Sequence, residues 1–132
     1  MTKVLQTNVG RSRATHDLAD IVAAKTKMRT MKVLQINLNR RPRSHDLMEA
    51  KSLELGVDII IASEPNMNLI RNDESWMKDK LLNTGIKIRN RELSLGVTES
   101  REGVVMAEIN KIKFYSVYIP RNDPMENTER IL

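Results

Sequence analysis

Residues 57–62, VDIIIA, restrict the fold more than any other stretch of this 132-residue chain. A short apolar run without alternation predicts a strand buried on both faces, which must sit inside a sheet with a layer on either side. Upstream, Leu47, Ala50 and Leu53 recur at near-helical spacing, and Gly56 suits the left-handed residue that ends a helix. Before them, residues 32–37 (KVLQIN) read as a short strand. Pro42 biases Arg41 away from helical angles, so the intervening residues read as a loop. Ser44 reads as the N-cap, and His45 and Asp46 as cap and first-turn residues. Strand, helix and buried strand make a βαβ unit with parallel neighbours, and the chain is expected to be of the α/β class.

Further along, residues 72–85 are expected to form a helix, with Trp76, Met77, Lys80 and Leu81 on one face, and residues 86–89 a short strand. Residues 103–109 and 111–119 read as a hairpin turning at Asn110-Lys111, because Asn tolerates positive φ. Alternation places Ile112, Phe114, Ser116 and Tyr118 on one face. Asp123-Pro124 has the character of a helix start. If the strand at 57–62 and this hairpin share one sheet, that sheet expects a second against it; without one, an exposed apolar face would promote self-association.

The chain starts the same element twice. KVLQTNVGRSRATHDL begins at Lys3 and KVLQINLNRRPRSHDL at Lys32. Repeat architectures need about three or more stacked units, and here there are two beginnings and one continuation. Residues 1–31 therefore read as a basic, partial copy of a strand, loop and helix, and residues 32–132 as the main unit.

Residues 1–45 hold ten Lys/Arg against two Asp, and the remainder twelve against fifteen Asp/Glu. Such an asymmetric charge suits a polyanion-binding end, and equally a solvated basic surface. Aromatics make up 3% of the residues, too few for a platform on which bases stack. Cysteine is absent, which removes disulfides and thiolate metal sites. No apolar run approaches the ~20 residues that span a bilayer, so no membrane partner is expected. The N-terminus lacks the apolar core of a secretory signal, and Asp17 and Asp20 interrupt what would be a basic transit peptide. The expected location is intracellular, in nucleus or cytoplasm.

Three positions carry residue types suited to phosphate chemistry. Asn37 ends a strand, where ligands collect in α/β sheets, and its amide can meet a phosphate oxygen or offer a carbonyl to a metal. Glu64 follows the buried strand and is a hard-cation ligand held by a rigid element. Tyr118 closes the last strand, with a phenol able to hydrogen-bond a phosphate. Each also has a plain reading, respectively a loop cap, a surface carboxylate and a core tyrosine with a wet rim.

Taken in order, KVLQINLNRRPRSHDL, LGVDIIIASEPN and FYSVYIPRNDPMENTERIL resemble the start of the apurinic-type endonuclease domain of non-long-terminal-repeat retrotransposons. That domain belongs to the endonuclease/exonuclease/phosphatase superfamily. The resemblance implies a four-layer α/β sandwich, a metal-dependent phosphodiesterase using Mg²⁺ or Mn²⁺, and DNA as substrate. It implies that Asn37 orients the metal–phosphate site, that Glu64 binds the metal, and that Tyr118 contacts the scissile phosphate. The family's later Asp-x-Asn motif and final Asp–His pair have no counterpart after Tyr118. The resemblance therefore implies about half of the domain, without full catalytic machinery. An inactive relic that still binds nucleic acid, or a phosphoesterase for small molecules or lipids, stays open.

Overall fold

The computed structural model describes residues 4–6, 19–25 and 30–120, with side chains from residue 30 onward. In chain order its elements are β1 (Val4–Gln6), β2 (Ala19–Lys25), β3 (Thr30–Asn37), α1 (Pro42–Leu55), β4 (Ile59–Ser63), α2 (Met67–Ile70), β5 (Trp76–Lys78), β6 (Thr84–Ile88), β7 (Leu95–Arg101), β8 (Val104–Ile109) and β9 (Ile112–Val117). They form two sheets, one in the order β2-β3-β4-β6-β5 and the other β1-β9-β8-β7. The content is mixed α and β, as expected of the α/β class.

The βαβ unit forms as predicted. β3 and β4 are parallel neighbours, with Asn37 beside Ser63. All of β4 is buried. Its two faces serve two cores. Ile59 and Ile61 join Met31, Val33 and Ile86 against Val105, Ala107, Ile109, Ile112 and Phe114 of the other sheet. Ile60 and Ala62 face Leu34, Ile36, Met48, Ile70 and Trp76 on the opposite side. The run without alternation is thus explained by apolar layers on both sides, each buried Ile contributing ~1.5–3 kcal/mol.

The strand at 57–62 and the hairpin at 103–119 do not share a sheet. They lie in different sheets that close on one another, so the face expected to stay open is covered. The hairpin turns where predicted: Asn110 and Lys111 both have positive φ, 52° and 68°, as a two-residue hairpin turn requires. Ile112, Phe114 and Ser116 point inward together. β7 is an edge strand whose residues are all exposed.

Several local readings are corrected. α1 starts at Pro42, with Arg41 at the N-cap in an extended conformation, so Ser44 lies inside the helix rather than capping it. Pro at N1 needs no N–H partner and pre-sets the helical φ, which moves the start three residues earlier. Gly56 ends the helix at φ 65° as predicted. The inward face is His45, Met48 and Ser52. Leu47 and Leu53 face outward, Leu53 at 76% exposure. A bond from the Asn66 N–H to His45 Nε2, 2.9 Å, fixes that rotation of the helix.

Residues 72–85 form no helix but a strand, a turn and the start of another strand. Asp73 Oδ1 accepts the Ser75 N–H at 2.9 Å, and Asp79 gathers the N–H groups of Leu81, Asn83 and Thr84. These local bonds divert the donors that a helical ladder would need.

The duplicated segments part company. Val33-Leu34-Gln35 lies in the five-stranded sheet, while the identical Val4-Leu5-Gln6 runs parallel to β9 in the other. The first copy does not continue as a helix over residues 19–25. Ala19–Lys25 is a strand antiparallel to β3, on the side away from β4. A β-branched pair, Ile21-Val22, suits that edge better than a helix. Asn8, His16 and the expected helix start at Asp123-Pro124 lie outside the described residues. Among the described residues, no helix is long and apolar enough to cross a membrane.

Candidate functional site

The site is built where β3 and β4 end. Asn37 and Ser63 are register partners, and Thr84 on β6 pairs with Ser63. The ladder runs one step further, with the Leu38 N–H donating to Ser63 O at 2.9 Å. The loop after β3 then turns sharply: Asn37 Oδ1 accepts the Asn39 N–H at 2.8 Å, and Asn39 and Arg40 adopt φ of 51° and 61°. Glu64, at φ 51°, turns the chain after β4. Its backbone is tied on both sides, its N–H donating to Asn83 O at 2.9 Å and its carbonyl accepting the Arg40 N–H at 2.7 Å.

Left-handed backbone at non-glycine residues is sparse and costs of order 1 kcal/mol each. Among the described residues it occurs at Asn39, Arg40, Glu64 and Leu82, and otherwise only in the hairpin turn at Asn110-Lys111. The strained positions outside that hairpin all fall in the loops that meet at this end of the sheet. Surrounding bonds hold them there, as expected where a loop positions a side chain for use.

Tyr118 arrives from the second sheet. It lies just past β9, and its N–H donates to Gly103 O at 2.8 Å. The Glu64 carboxylate and the Arg40 guanidinium both lie close enough to its hydroxyl to act on its ionisation. Arg40 Cζ also lies 6.0 Å from the centre of the Tyr118 ring. Burial, and then the Glu64 charge, push the phenol above its ordinary value, with Arg40 opposing. The phenol therefore keeps its proton at neutral pH and can donate. Below it, the Thr84 and Ser116 hydroxyls bond to each other across the two sheets, and Thr84 Oγ1 also donates to Ala62 O at 3.1 Å.

Glu64 and Tyr118 are thus brought near one another, and Asn37 sits at the adjoining strand end. Sequence reasoning missed Arg40, which it placed in an unassigned loop. It missed Asn83 and Asp79 as well. Arg40 donates from Nη1 to Pro65 O at 3.1 Å and Leu82 O at 2.7 Å, and from Nη2 to Asn83 Oδ1. A cluster of three Arg around a Pro was the available signal, but nothing local says which of Arg40, Arg41 and Arg43 turns inward.

The oxygen donors here are one carboxylate, one side-chain amide, and the hydroxyls of Tyr118 and Ser63. Ser63 Oγ is fully buried without a hydrogen-bond partner. Among the described residues, no three His, Cys, Asp or Glu side chains cluster as a metal-holding group. This donor set suits a hard cation that keeps most of its own water and takes one or two protein ligands.

His45 stays outside the site but supports it. Burial, and then Lys87, lower its pKa below the ordinary 6.5, while Glu49 and Asp46 pull the other way and the Trp76 ring packs edge-on. Its Nε2 is an acceptor only while the ring is neutral. The folded state thus resists a proton that the unfolded chain accepts near 6.5. Stability is full above that value, falls as pH drops toward the lower folded pKa, and levels off beneath it. The acid-induced drop in melting temperature between neutral pH and about pH 5 should shrink in His45→Gln, whose amide oxygen can accept the same N–H.

Neither a protein-family model nor a curated protein matches this sequence.

Proposed function

We propose that this chain carries the cation-and-phosphate half of a metal-dependent DNA phosphodiesterase site. The framework would be the four-layer sandwich that the resemblance to retrotransposon endonucleases implies. One observation carries the reading: Asn37 and Glu64 stand at the carboxyl ends of two neighbouring parallel strands, with the Tyr118 phenol close enough for the Glu64 charge to act on it. Two facing sheets with α1 packed outside one of them are compatible with that framework.

In this reading Glu64 is the ligand of Mg²⁺ or Mn²⁺, and Asn37 orients the same site with its amide. When bound, the cation would withdraw charge from a phosphate oxygen and from the leaving oxygen. Tyr118 donates its hydrogen bond to a non-bridging phosphate oxygen. Arg41 and Arg43, exposed beside Arg40 in the chain, meet the flanking phosphates.

Among the described residues none is placed as a general base. His45 spends Nε2 on the Asn66 N–H. Asp79 spends both oxygens on backbone N–H groups. Asp58 accepts from Lys32 and Asn90. The function assigned is therefore cation-assisted binding of a DNA phosphodiester without cleavage.

Fluorescence anisotropy with duplex DNA, with and without Mg²⁺, tests this alongside a supercoiled-plasmid nicking assay. Mg²⁺ should strengthen binding, Glu64→Gln should remove that gain, and nicking should stay at the metal-free level. Replacing Arg41 and Arg43 with Gln should make log K less steep against log salt by about 2, at roughly 0.9 per phosphate. Binding that ignores both Mg²⁺ and Glu64→Gln would refute the assignment.

A further inference from the structure

We propose that Arg40 is the positioning residue of this site, the clamp that holds the Glu64 loop and the turn before β6 in one arrangement and so sets the geometry Glu64 offers a cation. The inference rests on the cation reading of Glu64 but is separately testable.

A guanidinium has five N–H groups in a rigid fork and accepts nothing. Here Nη1 donates to Pro65 O and Leu82 O, and Nη2 to Asn83 Oδ1. The guanidinium also lies 6.0 Å from the centre of the Tyr118 ring. Three of the five donors are consumed inside the protein, and the group is packed beside the Tyr118 ring. Little remains for a phosphate, so Arg40 is not a substrate-binding arginine like those expected at 41 and 43.

The residues it joins come from different parts of the chain. Pro65 follows Glu64 directly. Leu82 and Asn83 form the turn before β6, and Asn83 O accepts the Glu64 N–H. Tyr118 comes from the second sheet. The backbone of residue 40 contributes as well, its N–H donating to Glu64 O at 2.7 Å and its carbonyl accepting from Asn66 Nδ2 at 2.8 Å. Glu64 is thus gripped from either side in sequence, by Arg40 and by the Asn83 turn that Arg40 itself holds. The left-handed φ at residues 40, 64 and 82 is the backbone cost of bringing these segments to one point.

Lysine cannot take this role. It keeps the charge, but its ammonium has three donors and no planar fork. Two readouts on Arg40→Lys decide the proposal. The first needs no metal: the amides of residues 40 and 64 should exchange about tenfold faster, while those of Ile60 and Ile61 stay protected. The second is Mn²⁺ affinity of the folded protein, which should weaken about tenfold, as when a residue supporting a ligand is lost. A role in the fold alone would lower global stability, speed exchange in the core too, and leave the affinity of the folded fraction unchanged. Asn83→Leu, which removes one acceptor of the fork and keeps Arg40, should move both readouts the same way by a smaller factor.

Unchanged protection of the residue 64 amide in both variants overturns the proposal. So does acceleration that extends equally to Ile60 and Ile61. If the unaltered protein binds no Mn²⁺, or Glu64→Gln binds it equally well, the cation reading fails. The exchange pattern then still decides whether Arg40 clamps the loops.

Discussion

Replacing Asp79 with alanine should cost the fold about 3–5 kcal/mol, the largest loss expected from any single polar side chain here. Asp79 is 1% exposed. Its Oδ1 accepts the N–H groups of Asn83 and Thr84 at 2.7 and 2.9 Å, and its Oδ2 those of Leu81 and Gly103 at 3.3 and 2.9 Å. Gly103 sits in the turn between β7 and β8, so one carboxylate pins the β5–β6 turn to the other sheet. Alanine would strand these donors in a dry place, where each unmade bond costs ~1–3 kcal/mol before relaxation. Asn should cost less, since its oxygen still serves two of them. Urea unfolding measures this directly: the midpoint should fall with little change in slope, the mark of lost stability without a new denatured state. Because Asn83 leads on to Glu64 and Arg40, Asp79→Asn should also loosen the site.

The second large effect is on the cation. Glu64→Gln keeps the size of the side chain and a carbonyl oxygen, but removes the site's carboxylate charge. Mn²⁺ affinity should fall by about a hundredfold, the expected consequence of losing the charged ligand of a hard cation, while thermal stability changes little. Calorimetric titration of the two proteins provides the comparison. Tyr118→Phe separates the two residues: it removes the phenol hydroxyl and leaves the carboxylate, so Mn²⁺ should still bind while any Mg²⁺-dependent gain in DNA binding is lost.

The parts of this structure that the sequence announced are those set by neighbours in the chain. VDIIIA became β4 because its lack of alternation records burial on two sides. Gly56 and Asn110-Lys111 signalled their turns through φ alone. The parallel pair β3–β4 followed from the crossover between them. Asn37, Glu64 and Tyr118 stood out because each ends a strand. What could not be read depends on partners distant in sequence. Asp79 is a buried staple because Gly103 comes to it from the other sheet; in the sequence it is one acidic residue in a polar stretch. His45 turns inward to meet the Asn66 N–H, which rotates α1 and leaves Leu47 and Leu53 outside, against the apolar pattern. Arg40 is distinguished from Arg41 and Arg43 only by where Pro65, Leu82 and Asn83 present their oxygens. The duplicated KVLQ shows the same limit: one tripeptide, Val-Leu-Gln, joins two different sheets because each sheet had a strand to pair with it.

The most direct measurement is a residue-resolved NMR map of paramagnetic broadening by substoichiometric Mn²⁺. If Glu64 is the cation ligand, broadening should centre on the amides of residues 37–40, 63–65, 83 and 118, and should disappear in Glu64→Gln. Broadening centred instead on surface carboxylates such as Glu74, Glu92 or Glu102, or an unchanged map in Glu64→Gln, would contradict the account.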